Sequence, residues 1–513
     1  MRSVARTTPR WAAATLAIGL VAGCGGTSGD GARGGAGADQ TAIFKYGIPG
    51  NPTSLDPRRS GPLDPIFLNN FYDSLVRRMP NGDLKPGLAT EWKFTPDAKA
   101  LEFTLRTGVT FQDGAAFDAN AVQANIEAAK KPPSVLAGAL SAVSSVDVVS
   151  PTQVRLNLSV PGGHLVNTLA GEAGMMISPA KLDSEDLKAN PAGTGPYKLA
   201  SIADGKLSLR PWEGYWNKAA IRNGGIDMTV YSDESTRLRA LRSGQSDGTT
   251  ITPAQINEAK SAGLTIITGP NTTFNGILLN TSQSEFGNPK VRLAMSHAID
   301  RKAISDSLYA GACVPSVQPY QQNFWAYNPA LAYQDSYYDE AKAKALLAEA
   351  GLPGGFEFEM LVGPNTSYQQ LGQAIQGQLE KVGIRMKLTV VEFTQMTSVR
   401  RTGKFAATVA LVQAGRPDPS QFIADFYTTG GLYNPGGFNL PGVGELLTQS
   451  RTSDDPAARA KPTQEIVAKV LEAGPPVIPV CGVAYVAAFR QGVAGLEVPV
   501  NGDYDFSSIT VGR

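Results

Sequence analysis

The stretch NPAGTGPYKLASIADGKLSLRPWEGYW, residues 190–216, decides how this chain folds. Gly193, Gly195 and Pro196 predict a tight turn, because glycine tolerates positive φ and proline fixes φ at about −65°. Two extended runs then flank the Ala-Asp-Gly sequence at 203–205, which predicts a β-hairpin. The aromatic side chains that follow could cover a sheet edge, and they are Trp212, Tyr215 and Trp216. The pattern predicts a buried turn and a hairpin and indicates no chemistry.

A second stretch, LRTGVTFQDGAAFDANAV at residues 105–122, begins where an alternating strand ends. Apolar and polar side chains alternate over 101–106, as expected for a strand with one buried face. Asp118 is the expected N-cap of a helix that ends before Pro132. The sequence therefore predicts a strand, a turn and a helix in this order.

Helical and extended segments alternate along the rest of the chain. Asn288 and Asp339 are the expected caps of two helices, the second of which covers 340–350. A helix over about 368–382 precedes an alternating strand at 385–391. This alternation predicts an α/β fold, and the chain shows no repeat with a period of about 20–50 residues that would indicate a solenoid.

Three motifs in these segments resemble one protein family. They are N-P-x-G-T-G-P-Y followed by Y-W within 190–216, L-R-x-G-V-x-F-x-D-G-x-x-F-x-A-x-x-V over 105–122, and N-x-x-V-R-x-A-x-x-x-A-I-D-R over 288–301. Together they are similar to family 5 of the bacterial extracellular solute-binding proteins, the oligopeptide-, dipeptide- and nickel-type binding components of ABC importers. The resemblance spans about residues 42–511.

The resemblance implies an α/β fold of the two-lobed periplasmic-binding-protein type (type II, large three-domain form), with the ligand cleft between the lobes. The first lobe would contain a discontinuous domain I with domain II added to it, and the second lobe would be domain III. The expected segments are 1–23 for a lipoprotein signal peptide, 24–41 for a flexible tether, 42–57, 192–266 and 488–513 for domain I, 58–191 for domain II, and 267–487 for domain III.

The N-terminus carries an export signal. Arg2, Arg6 and Arg10 precede the apolar run 11–22, which is shorter than the ~20 residues that a membrane-spanning helix needs. The run ends in Leu-Val-Ala-Gly-Cys at 20–24, which resembles a lipobox, so Cys24 is expected to be lipidated. The alternative is an ordinary signal peptide cut near Ala22 or Gly23. A Gly-, Ala- and Ser-rich tether follows. We expect a lipid-anchored protein on the extracytoplasmic face of the cell membrane.

Composition and charge exclude several function classes. The chain has 46 basic and 45 acidic residues and a formal net charge of +1, which argues against a nucleic-acid partner because such partners require clustered cations. Only two histidines are present, and neither Cys313 nor Cys481 belongs to a Cys-x-x-Cys pair, so we predict no metal site and no cofactor. The two cysteines could form a disulfide in an oxidising compartment or remain buried thiols.

One motif suggests catalysis. Gly244–Gly248 has the G-x-S-x-G pattern of a serine hydrolase, with Ser246 as the nucleophile. That motif requires a strand before the serine and a helix after it, whereas here a helix at 235–242 comes first and a strand at 249–251 follows. We therefore predict a structural turn and a protein that is not an enzyme; a secreted hydrolase and a surface receptor are the rival functions.

The resemblance also indicates a ligand site. The family's x-E-W pattern, which supplies an aromatic wall, aligns with 391–395 and puts Phe393 at the aromatic position; a core phenylalanine is the alternative. A later segment, 412–419, aligns the family's amine-binding Asp with Gly415, and Gln413 lies in the same segment. Both segments are therefore expected to line the cleft.

The glycine at position 415 weakens the case for a free-amine peptide, because a buried ammonium without a charged partner costs several kcal/mol. Asp418 could replace the missing carboxylate if the loop is shifted, whereas Arg416 offers a bidentate donor to a carboxylate or phosphate. Arg416 could equally be a solvated loop charge. Arg59 follows a family-like Ser-Leu-Asp-Pro sequence and could face either the ligand or solvent.

The predicted function is that of a substrate-binding lipoprotein of an ABC importer. A monomer would capture a peptide or peptide-like solute and deliver it to permease subunits that work with separate cytoplasmic ATPases. A non-peptide solute stays open as an alternative, whether a metal chelate, a glycoconjugate or an anionic small molecule. The ligand would bind between the lobes and favour the closed form, since it contacts both walls only there.

Overall fold

The computed structural model describes residues 40–61, 64–95, 99–269, 273–322, 324–414, 418–499 and 504–512. Within these ranges the strands are β1 Ile43–Ile48, β2 Val76–Arg78, β3 Leu84–Pro86, β4 Ala89–Phe94, β5 Ala100–Leu105, β6 Val143–Ser150, β7 Gln153–Leu158, β8 Tyr197–Ala203, β9 Lys206–Pro211, β10 Gly225–Val230, β11 Gly248–Ile251, β12 Thr265–Thr268, β13 Thr273–Leu279, β14 Cys313–Pro315, β15 Glu357–Val362, β16 Arg385–Val390, β17 Ala407–Gln413, β18 Val477–Val483, β19 Val486–Phe489, β20 Val493–Ala494 and β21 Thr510–Val511.

The helices in the same ranges are α1 Pro65–Leu68, α2 Ala119–Ala129, α3 Leu165–Thr168, α4 Glu234–Arg242, α5 Ile256–Ser261, α6 Ser284–Gly287, α7 Pro289–His297, α8 Arg301–Tyr309, α9 Glu340–Glu349, α10 Thr366–Glu380, α11 Phe393–Thr402, α12 Pro419–Tyr427, α13 Val443–Gln449 and α14 Pro456–Glu472. The predicted caps are present: the side chains of Asp118, Asn288 and Asp339 each accept a backbone hydrogen bond from the helix that follows. The helix expected over 368–382 starts at Thr366, because Asn365 caps it. None of these described helices is long and apolar enough to span a membrane.

The largest sheet contains seven strands in the order β12-β19-β11-β1-β10-β9-β8. β1 lies at its centre, parallel to β10 and β11, and the predicted hairpin forms β8 and β9. One face of the sheet buries Phe44 and Tyr46 against aromatic residues near the C-terminus, where the ring centroids of Tyr46 and Phe506 lie 4.9 Å apart. Segments from both ends of the chain therefore build one core.

A four-stranded antiparallel sheet in the order β4-β5-β7-β6 is formed by residues that lie between β1 and β8 in the chain. Leu101, Phe103 and Leu105 of β5 are buried in one cluster with Val122 and Ile126 of α2. The alternation of side chains and the spacing of the helix predict this packing correctly.

A six-stranded sheet in the order β14-β18-β13-β17-β15-β16 uses strands from the second half of the chain. β15 is parallel to both β16 and β17, whereas β13 is antiparallel to β17 and β18. Helices α7 and α10 contribute Val291 and Ile375 to its core. Cys313 of β14 and Cys481 of β18 form a disulfide, so the alternative of two free thiols is wrong.

The Gly-Thr-Gly-Pro-Tyr turn is built around the carboxylate of Asp73. Trp216 Nε1 donates to this carboxylate at 2.9 Å, the Tyr215 hydroxyl at 3.1 Å and the Thr194 hydroxyl at 3.3 Å. Gly195 approaches the backbone just before Asp73 so closely that an added Cβ would lie 2.5 Å from a backbone carbon. Tyr215 and Trp216 therefore act as hydrogen-bonding anchors of the turn, a role that the sequence pattern alone does not indicate.

Asp73 should make stability depend on pH. Burial raises the pKa of Asp73 to about 6 in spite of its donors. This value lies above the ordinary carboxyl pKa of about 4, so the contribution of Asp73 to the free energy of unfolding is greatest below about pH 4 and falls by on the order of 2 kcal/mol as the pH rises to about 6. The variant Asp73→Asn lacks this titration. The free energy of unfolding of the wild type minus that of the variant, measured by urea unfolding from pH 4 to 7, should therefore fall as the pH rises. Parallel profiles of the two proteins would contradict this.

Candidate functional site

One edge of the six-stranded sheet gathers two of the predicted ligand positions. β15 pairs in parallel with β16 on one side and β17 on the other, so the carboxyl ends of these three strands lie at the same edge. Phe393 follows β16 at this edge, and Gln413 is the last residue of β17. In open α/β sheets, ligands bind at the carboxyl ends of the parallel strands. Two of the positions that the resemblance indicated, Phe393 and Gln413, therefore lie at the end of strands that meet at this edge.

Apolar side chains are accessible at this edge. Val390 ends β16 and is 52% exposed, and Leu411 of β17 is 39% exposed. Ligand clefts are lined mainly by such apolar groups, with a few polar groups that orient the ligand. The predicted positions that fall outside the described residues are the side chains of Phe393 and Gln413, and the whole of Gly415, Arg416 and Cys24.

Asp418 is fully buried, and its carboxylate is engaged on both oxygens. Arg459 donates to the two oxygens at 2.6 and 2.8 Å, the backbone N–H of Ser420 donates at 2.9 Å, and Asn167 Nδ2 donates at 3.2 Å. These four donors occupy the accepting capacity of a carboxylate. Burial opposes the ionisation of Asp418, but the charge and hydrogen bonds of Arg459 outweigh it, so the pKa of Asp418 is lowered to about 2. Asp418 therefore caps α12 and pairs with Arg459.

A ligand ammonium at Asp418 would have to replace an existing partner. The side chains of Arg459 and Asp418 are 1% and 0% exposed. Removing one partner of a buried ion pair is destabilising by about 3–5 kcal/mol, because an unpaired charge is left in the interior. A role for Asp418 as the anchor of a ligand amine would thus require the pair with Arg459 to break.

A seam of contacts joins residues 162–168 to Asp418 and to residues 451–453. Within it, the Gly163 N–H donates to the carbonyl oxygen of residue 451 at 2.6 Å, and Asn167 donates to Asp418. Both contacts connect parts of the chain that are far apart in sequence. Residues 162–168 follow the four-stranded sheet, whereas Asp418 follows β17 of the six-stranded sheet. The two sheets are thereby connected through the segments that follow β7 and β17.

His164 is buried in this seam, and its Nδ1 has no hydrogen-bond partner among the described residues. Burial, followed by the charge of Arg451, lowers the pKa of His164 to about 3, although Asp418 acts in the opposite direction. The imidazole is therefore neutral at pH 7. A protonated imidazole would lie close to the cations Arg451 and Arg459, so the seam is built around the neutral form.

Arg59 makes ion pairs away from this seam. Its guanidinium donates to both carboxylate oxygens of Glu185, at 2.6 and 3.2 Å, and lies 3.7 Å from a carboxylate oxygen of Asp56. About a quarter of its side chain, 27%, is exposed. None of the ion pairs in the described ranges joins Arg59 to the seam, so the structure does not bring it together with Asp418.

Ser246 lies in a turn between α4 and β11, the reverse of the order that a nucleophilic serine requires. Its hydroxyl is buried and has no hydrogen-bond partner in the described part of the chain. His297 is held elsewhere, with its ring stacked on Tyr337 at 4.3 Å and its Nδ1 2.7 Å from the carbonyl oxygen of that residue. Within the described ranges, no group of His, Cys, Asp and Glu is arranged to hold a metal ion.

Comparison with known proteins gives the family. The family model described as "Bacterial extracellular solute-binding proteins, family 5 Middle" matches residues 83–434. The chain belongs to this family. The predicted fold class of this family 5 protein is thereby confirmed, and so is the prediction of a binding protein that is not an enzyme.

Individual relatives of this family 5 protein agree with the assignment. GsiB of Salmonella paratyphi A, a glutathione-binding protein, is 33% identical over 360 residues, which cover 67% of this chain and 69% of GsiB. AgaA from A. tumefaciens R10, solved in complex with agropinic acid, is 27% identical with a TM-score of 0.81, over 92% of this chain and 99% of AgaA. DppA from Helicobacter pylori, solved with the peptide STSA, is 23% identical with a TM-score of 0.81, over 92% of this chain and 98% of DppA, and supports the fold alone.

The partners of Asp418 in the seam of this family 5 protein, Asn167 and Arg459, carry no signal in the sequence. Asn167 and Asp418 are 251 positions apart, and no local pattern connects residues at such a separation. Arg459 looks like any other solvated helix arginine in the sequence. Pro-Gly-Gly at 161–163 is the one usable signal, since it indicates a loop, but it does not indicate what the loop touches.

Proposed function

We propose that this family 5 protein is the solute-capturing component of an ABC importer and that it binds a peptide or peptide-like solute at the carboxyl edge of its six-stranded sheet. The observation that carries the proposal is the 33% identity to a glutathione-binding protein over two thirds of the chain. The exposed apolar side chains of Val390 and Leu411 at that edge support it, because a ligand cleft requires apolar walls.

The ligand would lie between two lobes. We assign 42–57, 192–266 and 488–513 to domain I, 58–191 to domain II and 267–487 to domain III. In support, the seven-, four- and six-stranded sheets draw their strands from these three sets of segments almost without exception. β12 and β19 of the seven-stranded sheet each extend two residues beyond these bounds, so we propose that the hinge crossings lie just after Thr268 and just before Val486 instead of at 266 and 488.

The other partners follow from the export signal and the family. We propose that Cys24 is lipidated and that the mature monomer is thereby anchored to the extracytoplasmic face of the cell membrane. The closed, loaded form would dock on membrane permease subunits, whose separate ATPases supply the free energy of transport. Micromolar affinity, about −8 kcal/mol, is enough to shift a modest bias between open and closed forms.

A second ligand class, a blocked or anionic solute, is favoured by the state of Asp418. A free-amine peptide needs an unpaired anion, whereas Asp418 is already bound by Arg459 and position 415 is a glycine. An anionic solute needs a cation instead, which Arg416 would supply through a bidentate guanidinium. The complex of AgaA with an acid is a precedent among the relatives.

The ligand class is tested by isothermal titration calorimetry and thermal-shift measurements on the purified protein. The probes are reduced glutathione, Ala-Ala-Ala, N-acetyl-Ala-Ala-Ala and agropinic acid. Binding of the free-amine peptides alone would support a peptide ligand with an amine anchor. Binding of the acetylated peptide or of agropinic acid would support the second class. If no probe binds, the proposal of a peptide-like or acidic ligand is wrong.

The position of the site is tested by one substitution with a matched control. Val390→Asp should raise the Kd of whichever probe the wild type binds by about tenfold or more. The substitution replaces an apolar contact worth about 1.5 kcal/mol with a charge that must be desolvated. Val149→Asp makes the same change on β6, where valine is 59% exposed, and should leave the affinity unaltered. Equal affinities of the two variants would place the ligand elsewhere.

A further inference from the structure

The seam joins segments that we assign to different lobes. Residues 162–168 belong to domain II, whereas Asp418 and residues 451–453 belong to domain III. Its hydrogen bonds, from Gly163 to residue 451 and from Asn167 to Asp418, exist only while the two sides touch. Both hydrogen bonds are formed in this structure, and any separation of the lobes would break them.

Gly163 lies directly against the backbone on the opposite side of the seam. A Cβ built on this glycine would lie 1.9 Å from the carbonyl oxygen of Ser453, 2.5 Å from its carbonyl carbon and 2.7 Å from the carbonyl oxygen of Arg451. All three atoms are backbone atoms on the opposite side. The φ angle of Gly163 is not positive, so its own backbone does not require glycine. The need for a residue without a side chain comes from the opposite side of the seam.

The neighbours of Gly163 show that the seam is tightly closed. His164, the residue after Gly163, is 2% exposed, and its Nδ1 has no partner in the described part of the chain. Asn167 reaches the buried Asp418–Arg459 pair, which stays paired without it through two hydrogen bonds. Opening would rehydrate His164 and Asn167 and leave the ion pair intact, so the seam can open without disrupting either side.

We propose that residues 162–168 are a closure latch, and that the absence of a side chain at Gly163 and the amide of Asn167 together determine how much of the protein is in the closed form. The proposal rests on the proposed function, in which the lobes move relative to each other. The latch acts through a conformational equilibrium, so Gly163 and Asn167 are positioning residues for capture of the solute.

The latch is tested by measuring the distance between the two lobes in solution. Spin labels are attached to cysteines introduced at the exposed positions Val149 in domain II and Leu432 in domain III, in a Cys24→Ser background. The native cysteines form a disulfide and stay unlabelled. Pulsed electron paramagnetic resonance then gives the fraction of molecules with the short distance of the closed form, with and without excess reduced glutathione.

Two variants and two matched controls separate closure from folding. Gly163→Ala places a methyl group against the opposite backbone. Asn167→Asp replaces the donor to Asp418 with a second carboxylate, which Arg78, already a donor to Asn167 Oδ1 at 3.2 Å, would hold on its own side of the seam. Gly138→Ala is the first control, since a Cβ there meets nothing within 4 Å. Asn157→Asp is the second control, because Asn157 donates to Asp147 at 2.8 Å within one sheet, so the same change of groups falls inside a single lobe, at a solvent-exposed bond.

We expect the short-distance fraction to fall about tenfold or more in Gly163→Ala and Asn167→Asp and to be unchanged in both controls, with the urea midpoints of Gly163→Ala and Gly138→Ala equal. A Gly163→Ala variant that retains the wild-type fraction, or a wild type without any short-distance population, would overturn the latch. If seam variants alone lose this population while no probe binds, the latch is supported and the ligand proposal is the one that fails.

Discussion

Replacing Arg459 with methionine is expected to lower the free energy of unfolding by about 3–5 kcal/mol, because Asp418 would remain buried without a counter-ion. Methionine keeps most of the length and the apolar stem of the arginine, so the loss reports mainly on the charge. Arg459 is 1% exposed and makes both of its bonds to Asp418 at 2.8 Å or less. Equilibrium unfolding in urea measures the change, with circular dichroism as the readout.

A matched control for this prediction is an ion pair of the same chemistry on the surface. Arg385 lies 2.5 Å from Glu357, and their side chains are 61% and 70% exposed. Arg385→Met should cost less than about 1 kcal/mol, because water solvates the remaining carboxylate. The double variant Asp418→Asn with Arg459→Met should recover part of the loss, since no charge is then left unpaired. Equal losses from Arg459→Met and Arg385→Met would show that burial of the pair does not contribute.

Local signals are sufficient to predict most of the secondary structure of this chain. Asp118, Asn288 and Asp339 are recognisable as caps because the side chain that bonds the first turn lies within three residues of its partner. The hairpin of β8 and β9 is predictable for the same reason, since its strands pair across the short turn at 203–205. Features that depend on near neighbours in sequence can be predicted from sequence.

The candidate site depends on contacts of another kind. Whether Asp418 is available to a ligand depends on Arg459, which lies 41 positions further along the chain and on a different helix. Nothing in the residues around Asp418 distinguishes a free carboxylate from an engaged one. The same holds for Asp73, whose partners Tyr215 and Trp216 follow it by 142 and 143 positions. The sequence therefore indicates which residues are candidates, and the packing of distant elements decides what each of them can do.

Removing the disulfide is expected to have the second large effect on stability. Cys313 and Cys481 are separated by 168 positions, so the bond closes a long loop in the unfolded chain. The chain-entropy treatment of such a loop gives about 5 kcal/mol, and measured losses are typically about 2–4 kcal/mol. The double variant Cys313→Ala with Cys481→Ala should therefore unfold at a clearly lower urea concentration. The native state should change little, because β14 and β18 stay paired through their backbone.

Reduction of the wild type provides the matched comparison for this double variant. A thiol reductant should lower the unfolding midpoint of the wild type towards that of Cys313→Ala with Cys481→Ala, while the variant itself should not respond, since it has no bond to reduce. The disulfide stabilises the protein mainly by restricting the unfolded chain. Probe binding and the far-ultraviolet circular dichroism spectrum of the native variant should therefore match those of the wild type. Equal midpoints of the oxidised wild type and the variant would mean that the strand pairing alone holds β14 in place and that closing the loop contributes no stability.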